Sequence, residues 1–197
     1  MPSNSNPQKC EKVKQEAKKG KFLGKGAFGE VREHGSNYVI KTEKCKSGFR
    51  RRASDFIPNV TTYRKILGGV IRAGLAPPIK AAYECGDTCI TIMKKAPGQT
   101  LSNLLGSPEA PQIIEAVYKG IGKLHSLMKA HYGHGDLHSS NVLVHKSGNK
   151  WKPKFIDFAL ERKLAKSYDW KFIRESISRK SPKYKELTKS LEHKYSR

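Results

Sequence analysis

Three segments of the sequence carry residues suited to moving a phosphoryl group. The first, Gly24-Lys25-Gly26-Ala27-Phe28-Gly29-Glu30-Val31, has the form GxGxFGxV. Its glycines permit a tight turn whose backbone approaches a phosphate closely and offers N–H groups to it. A strand follows this turn, which argues against a dinucleotide fold, where a helix follows. Val39-Ile40-Lys41 then places a lysine on the next strand, within reach of α- and β-phosphates. The second segment, His134-Gly135-Asp136-Leu137-His138-Ser139-Ser140-Asn141, is HxDxxxxN ahead of the apolar run Val142-Leu143-Val144. Asp136 is suited to accept the hydrogen bond of an incoming hydroxyl, and Asn141 to hold a magnesium ion. The third, Phe155-Ile156-Asp157-Phe158, is an apolar strand ending in a carboxylate that can bind magnesium bridging nucleotide phosphates. A lone glycine turn, surface lysine or turn aspartate means little, so the weight lies in the three segments together. Zinc held by His131, His134 and His138 is another chemistry for the middle stretch, but it leaves the glycine turn and Asp157 unexplained.

The elements that must position these residues follow from periodicity. Residues 21–23, 30–33 and 38–41 read as short strands. Residues 54–72 read as a helix, with Phe56, Val60, Tyr63, Leu67 and Ile71 near a 3.6-residue repeat and Pro58 in the first turn. Residues 79–83 and 88–93 form a hairpin across Cys85-Gly86-Asp87, and the Pro/Gly stretch 94–98 is a hinge. A second helix spans 109–128, with Ile113, Val117, Ile121 and Leu124 on one face, and short strands fall at 143–145 and 154–156. The basic tail from Leu164 is helical, with a break at Ser181-Pro182. Strands with one helix, then mainly helices, make an α+β protein of two lobes. The expected division is a disordered or helical extension over 1–20, a β-rich lobe over 21–93, and a truncated helical lobe with its basic tail over 94–197.

Composition sets outer bounds. The 197 residues hold 39 Lys and Arg against 17 Asp and Glu, a formal net charge of +22, with 37% hydrophobic residues. That suits one domain with a core or two small lobes, not a chain disordered throughout. The charge favours anionic partners, either an acidic protein or an anionic surface for the tail. No zinc-finger, RNP or basic-zipper pattern points to nucleic acid. No run approaches the roughly 20 apolar residues that cross a bilayer. Cys10, Cys45, Cys85 and Cys89 form no CxxC pair, and the expectation is free thiols in a reducing compartment.

In this order the three segments resemble the protein kinase-like superfamily, from about Phe22 to Asp169. The resemblance implies ATP and Mg2+ as cofactors. Gly24, Gly26, Ala27, Phe28, Gly29 and Val31 would cover the nucleotide, and Lys41 would position its phosphates. Asp136 would be the catalytic aspartate, with Asn141 and Asp157 as magnesium ligands. Met93, Lys94 and Ala96 would form the adenine hinge, within Met93-Lys94-Lys95-Ala96-Pro97-Gly98-Gln99-Thr100-Leu101. Asp169 would brace the catalytic loop, and His138 would replace the usual lysine or arginine.

The chain also departs from the family. Tyr63 falls where the helix glutamate that pairs with the strand lysine is expected. Asp55 is the nearest acidic alternative, and Glu43 lies too near Lys41 in sequence to serve. Ala159 replaces the glycine after Asp157-Phe158. Gly135 replaces the arginine through which a phosphorylated activation loop acts, so activity is expected to be constitutive or raised by a bound partner. The short segment 157–169 lacks Ala-Pro-Glu. Such truncation is similar to the minimal kinases that Gram-negative pathogens inject by type III secretion, the OspG/NleH and HopBF groups. That similarity implies a monomeric Ser/Thr protein kinase, secreted by a bacterium into host cytoplasm and acting on a host protein such as a chaperone. A small-molecule phosphotransferase of the aminoglycoside or choline type, or a weakly active kinase-like binding module, are the alternatives.

Overall fold

Short β-branched and aromatic runs punctuated by glycine pair into two antiparallel sheets in a computed structural model of the chain, which describes residues 7–26, 29–44, 60–128, 132–159 and 166–196. The protein is α+β. It divides into two compact units, one of Met1–Lys65 and Pro78–Lys95, the other of Ile66–Pro77 and Ala96–Arg197. No helix among the described residues is long and apolar enough to cross a membrane.

The first unit holds a five-stranded sheet in the order β1-β2-β3-β5-β4. Its strands are β1 (Phe22–Lys25), β2 (Gly29–His34), β3 (Tyr38–Lys44), β4 (Ile79–Cys85) and β5 (Thr88–Lys94). The β4–β5 hairpin turns through Gly86, whose φ of +70° suits a residue without a Cβ. Helix α1 (Pro7–Lys19) lies against this sheet. Its lysine-rich sequence leaves only a narrow apolar stripe, Cys10, Val13 and Ala17, and all three are buried. Val13 and Ala17 join Ile40, Ile90 and Ile92 in one core. Side chains alternate along a strand, so Ile40 faces α1 while Lys41 points to the opposite face.

Cys10 is bonded to Cys85 across 75 residues of sequence, joining α1 to the end of β4. Cys89 is disulfide-bonded as well. The expectation of free thiols is corrected: α1 docks with its cysteine beside β4, a proximity that no Cys spacing reveals. The corollary of a reducing compartment loses its support with it.

Helix α2 (Val60–Arg72) covers the described part of the helix expected over 54–72; residues 54–59 lie outside the described residues. Its second half, with Leu67 and Val70 fully buried, belongs to the second unit. That unit contains a three-stranded sheet, β6 (Gln99–Thr100), β7 (Val142–Ser147) and β8 (Lys150–Phe155). It also holds the short helix α3 (Leu101–Leu104), the long α4 (Ala110–Leu127), α5 (Lys166–Lys180) and α6 (Lys185–Tyr195). α4 buries Ile113, Ile114, Val117, Tyr118, Ile121 and Leu124. Gly120 lets it close on β8, because a Cβ there would stand 2.5 Å from Pro153. The break expected at Ser181-Pro182 is a single 3-10 turn over Pro182–Tyr184 between α5 and α6, and Arg174 bonds Glu192 across it.

Candidate active site

In the first unit, strand register gathers most of the residues singled out along the chain. Val31 stands directly opposite Lys41, and Gly29 opposite Glu43. Met93 stands opposite Val39, and Thr91 opposite Lys41. Directly opposed residues in antiparallel strands share a face. Gly29, Val31, Lys41, Glu43, Thr91 and Met93 therefore lie on one face of the sheet, the one turned away from α1. Gly24 joins them by pairing with Val31 at a register shift in β1.

The β1–β2 turn is closed by Gly26 N–H donating to Gly29 O at 2.8 Å. Ala27 and Phe28 lie outside the described residues. The glycines differ in what they need. A Cβ on Gly29 would stand 2.0 Å from Thr42 O, so close strand packing demands glycine there. At Gly24 and Gly26 a Cβ would meet nothing within 4 Å, and neither residue has a positive φ. Nothing in the described residues therefore requires those two glycines.

Lys41 Nζ lies 2.8 Å from Glu43 Oε2, with both side chains largely buried. This corrects the expectation that Glu43 is too close in sequence to serve. Two residues along a strand is one pleat repeat, so both side chains stand on the same face. Asp55, the other acidic candidate, lies outside the described residues. Lys94 N–H donates to Pro78 O at 3.0 Å and Lys95 N–H to Asn37 O at 2.8 Å. Both hinge lysines are exposed, and Lys95 Nζ contacts Glu33 at 2.5 Å.

In the second unit a loop and a hairpin are tied together by backbone bonds. His138 caps the 3-10 turn Ser139–Asn141, its ring accepting from Ser140 N–H. The turn delivers Val142 into β7 opposite Phe155 of β8. That register continues beyond the strands: Ile156 N–H donates to Asn141 O at 3.0 Å, and Ala159 N–H donates to His134 O at 2.9 Å. The segment from Ile156 to Ala159, which carries Asp157, is thus bonded at both ends to the loop from His134 to Asn141. Asp157 has a φ of +62°, a left-handed conformation costly for a residue with a Cβ. Asn141 Nδ2 donates to Asp136 O at 2.9 Å and contacts Asp136 Oδ2 at 3.4 Å. Its amide oxygen is left as the acceptor, a hard oxygen ligand of the kind magnesium prefers. The Asp136 carboxylate is 44% exposed, with His138 Nε2 at 3.8 Å.

The frame beneath is buried. Asp169, fully buried on α5, accepts from His134 N–H at 2.6 Å, from Gly135 N–H at 3.0 Å and from His125 Nε2 at 2.8 Å. The His134 ring stacks on Phe158, with centroids 4.3 Å apart. Its Nε2 donates to Ile156 O at 2.9 Å, and its Nδ1 faces Asp136 N–H at 3.4 Å. Burial lowers its pKa to about 4, so the ring is neutral. Both nitrogens are engaged, which removes His134 from the zinc alternative; His131 lies outside the described residues. Ser176 fastens the same loop from α5, accepting from Ser139 N–H at 3.0 Å. Asp169 could be read from the sequence, but Ser176 and His125 belong to no motif and are found only through the packing of α5 and α4.

Compared with models of known protein families and with curated proteins, the chain matches none.

Proposed function

We propose that the chain is a minimal kinase-like phosphotransferase that moves the γ-phosphoryl group of ATP, with magnesium, to a Ser or Thr hydroxyl of a protein. The observation that carries this is the bonded frame of the second unit. One buried carboxylate, Asp169, holds the loop bearing Asp136, and the bond from Ile156 N–H to Asn141 O ties the segment that carries Asp157 to the end of that loop. MgATP supplies the phosphoryl group. Asp136 accepts the hydrogen bond of the acceptor hydroxyl and aligns it. Asn141 Oδ1 and the Asp157 carboxylate form a hard-oxygen pair fit for magnesium. Lys41, steadied by Glu43, pairs with phosphate oxygens, and the N–H groups of the glycine turn donate to them. Gly24 and Gly26 fit this role, since a close external occupant accounts for glycines that no described neighbour requires. Of the hinge residues, Lys94 has its N–H committed to Pro78 O, which leaves Ala96 as the backbone donor for an adenine edge.

The proposal includes secretion of the protein by a bacterium and a host protein, such as a chaperone, as acceptor. The bridged cysteines favour action in an oxidising setting over a host cytoplasm rich in glutathione. Labelled ATP and a protein extract provide the test, with wild type run against Asp157→Ala. Label should enter protein bands with wild type alone, while both proteins melt at the same temperature. Equal labelling by the variant refutes the assignment. Label appearing only in small metabolites would identify a small-molecule phosphotransferase instead.

A further inference from the structure

A cavity of about 220 Å3 opens beside the Asp136 carboxylate, lined by Asp136, His138, Phe172, Glu175, Ser176 and Arg179. Four of these come from α5 at i, i+3, i+4 and i+7, which is one helix face. At 1.5 Å per residue they extend over about 10 Å, the length of about three residues of extended chain. The floor is rigid, because Ser176 Oγ donates to Ile173 O while accepting from Ser139 N–H. Two opposite charges stand in the wall. Arg174, the residue before Glu175, is bonded to Glu192. Glu175 and Arg179 are exposed, and no ion pair or hydrogen bond ties either to another described residue. Glu175 and Arg179 stand at i and i+4 on the helix face beside the proposed catalytic carboxylate, and neither charge is taken up by a direct bond to a described residue.

We propose that this cavity is the acceptor subsite. It takes an extended Ser- or Thr-containing peptide that carries a carboxylate side chain at the Arg179 end and no acidic residue against Glu175. The inference rests on the kinase reading and adds the substrate class to it. Arg179 selects the acidic side chain, Glu175 sets its register by repulsion, and the net charge of +22 draws acidic segments in. In the transfer itself the acceptor oxygen forms a bond to the γ-phosphorus of ATP. The bond from that phosphorus to the β–γ bridging oxygen breaks, and ADP departs with the electron pair. The hydroxyl proton passes to Asp136 and on to solvent.

The test uses short alanine-rich peptides with one central Ser or Thr and a single Asp, Ala or Lys scanned through the flanking positions. Wild type, Arg179→Glu and Glu175→Lys are compared by kcat/KM, with melting temperature confirming that each is folded. Wild type should favour Asp over Lys at one side of the acceptor by about tenfold, and Arg179→Glu should invert that preference. Glu175→Lys should accept Asp where wild type refuses it. If both variants rank the peptides as wild type does, the cavity is not the acceptor subsite, although transfer lost in Asp157→Ala would still uphold the kinase reading. If wild type and Asp157→Ala are equally inert toward every peptide and protein, the kinase reading fails and the subsite fails with it.

Discussion

Burial holds His134 neutral, with its pKa lowered to about 4 from an ordinary 6.5. Protonation would also turn Nδ1 into a donor facing the N–H of Asp136. The unfolded chain therefore binds this proton more readily than the folded one, and stability rises with pH between those two values. Acidification from about pH 6.5 toward pH 4 should cost on the order of 3 kcal/mol, seen as a falling melting temperature. His134→Gln should flatten that slope. The carboxylates of Glu30, Glu33 and Glu115, held low by Arg32, Lys95 and Lys194, lose their contribution only at more acid pH, so the two effects separate. Gly135 makes a second residue-scale point. Its φ is +84°, and a Cβ there would stand 2.4 Å from Ala159 O. An arginine at this position has no room here, because Ala159 N–H donates to His134 O and zips the loop to the segment after Asp157. Gly135→Arg should destabilise by more than about 2 kcal/mol in chemical denaturation and should not make activity respond to phosphomimetic substitutions.

At the scale of elements, α1 is a poor helix by itself. Its 13 residues are rich in lysine, and its first turn has no acidic residue. Three buried residues and the Cys10–Cys85 bond keep it on the sheet, behind the strand that carries Lys41. Closing a loop of this length is worth up to about 4 kcal/mol through the unfolded chain. Replacing Cys10 and Cys85 together by Ala should lower the melting temperature and speed amide exchange in α1 first. β-strand amides that stayed equally protected, with no change in α1, would contradict this. The β4–β5 hairpin was legible because its two runs meet at Gly86, and α4 because its apolar period is long and Pro111 marks its first turn. β6 and α3 were not, since six residues are too few to show a period: β6 exists through pairing with β7, and α3 is one turn capped by Thr100.

For the whole molecule, a net charge of +22 creates a field that acts before contact. On acidic protein substrates, kcat/KM should fall steeply with added salt while kcat stays nearly constant, because screening weakens encounter and not the step after it. Stopped assays across an ionic-strength series measure this, and a salt-independent kcat/KM would mean that the charge serves solvation alone.

Residue type and order along the chain determined the α+β class, the glycine turn, the HxDxxxxN loop and the Asp157 strand end, because local propensity and short spacing suffice for those. Register on one sheet face, the Lys41–Glu43 pair, the Cys10–Cys85 bond and the anchorage of the loop by Ser176 and of Asp169 by His125 belong to the tertiary structure. Each joins atoms whose nearness depends on how strands slide and helices dock. A one-residue slip would turn Lys41 toward α1, and nothing in the neighbouring residues alone forbids it.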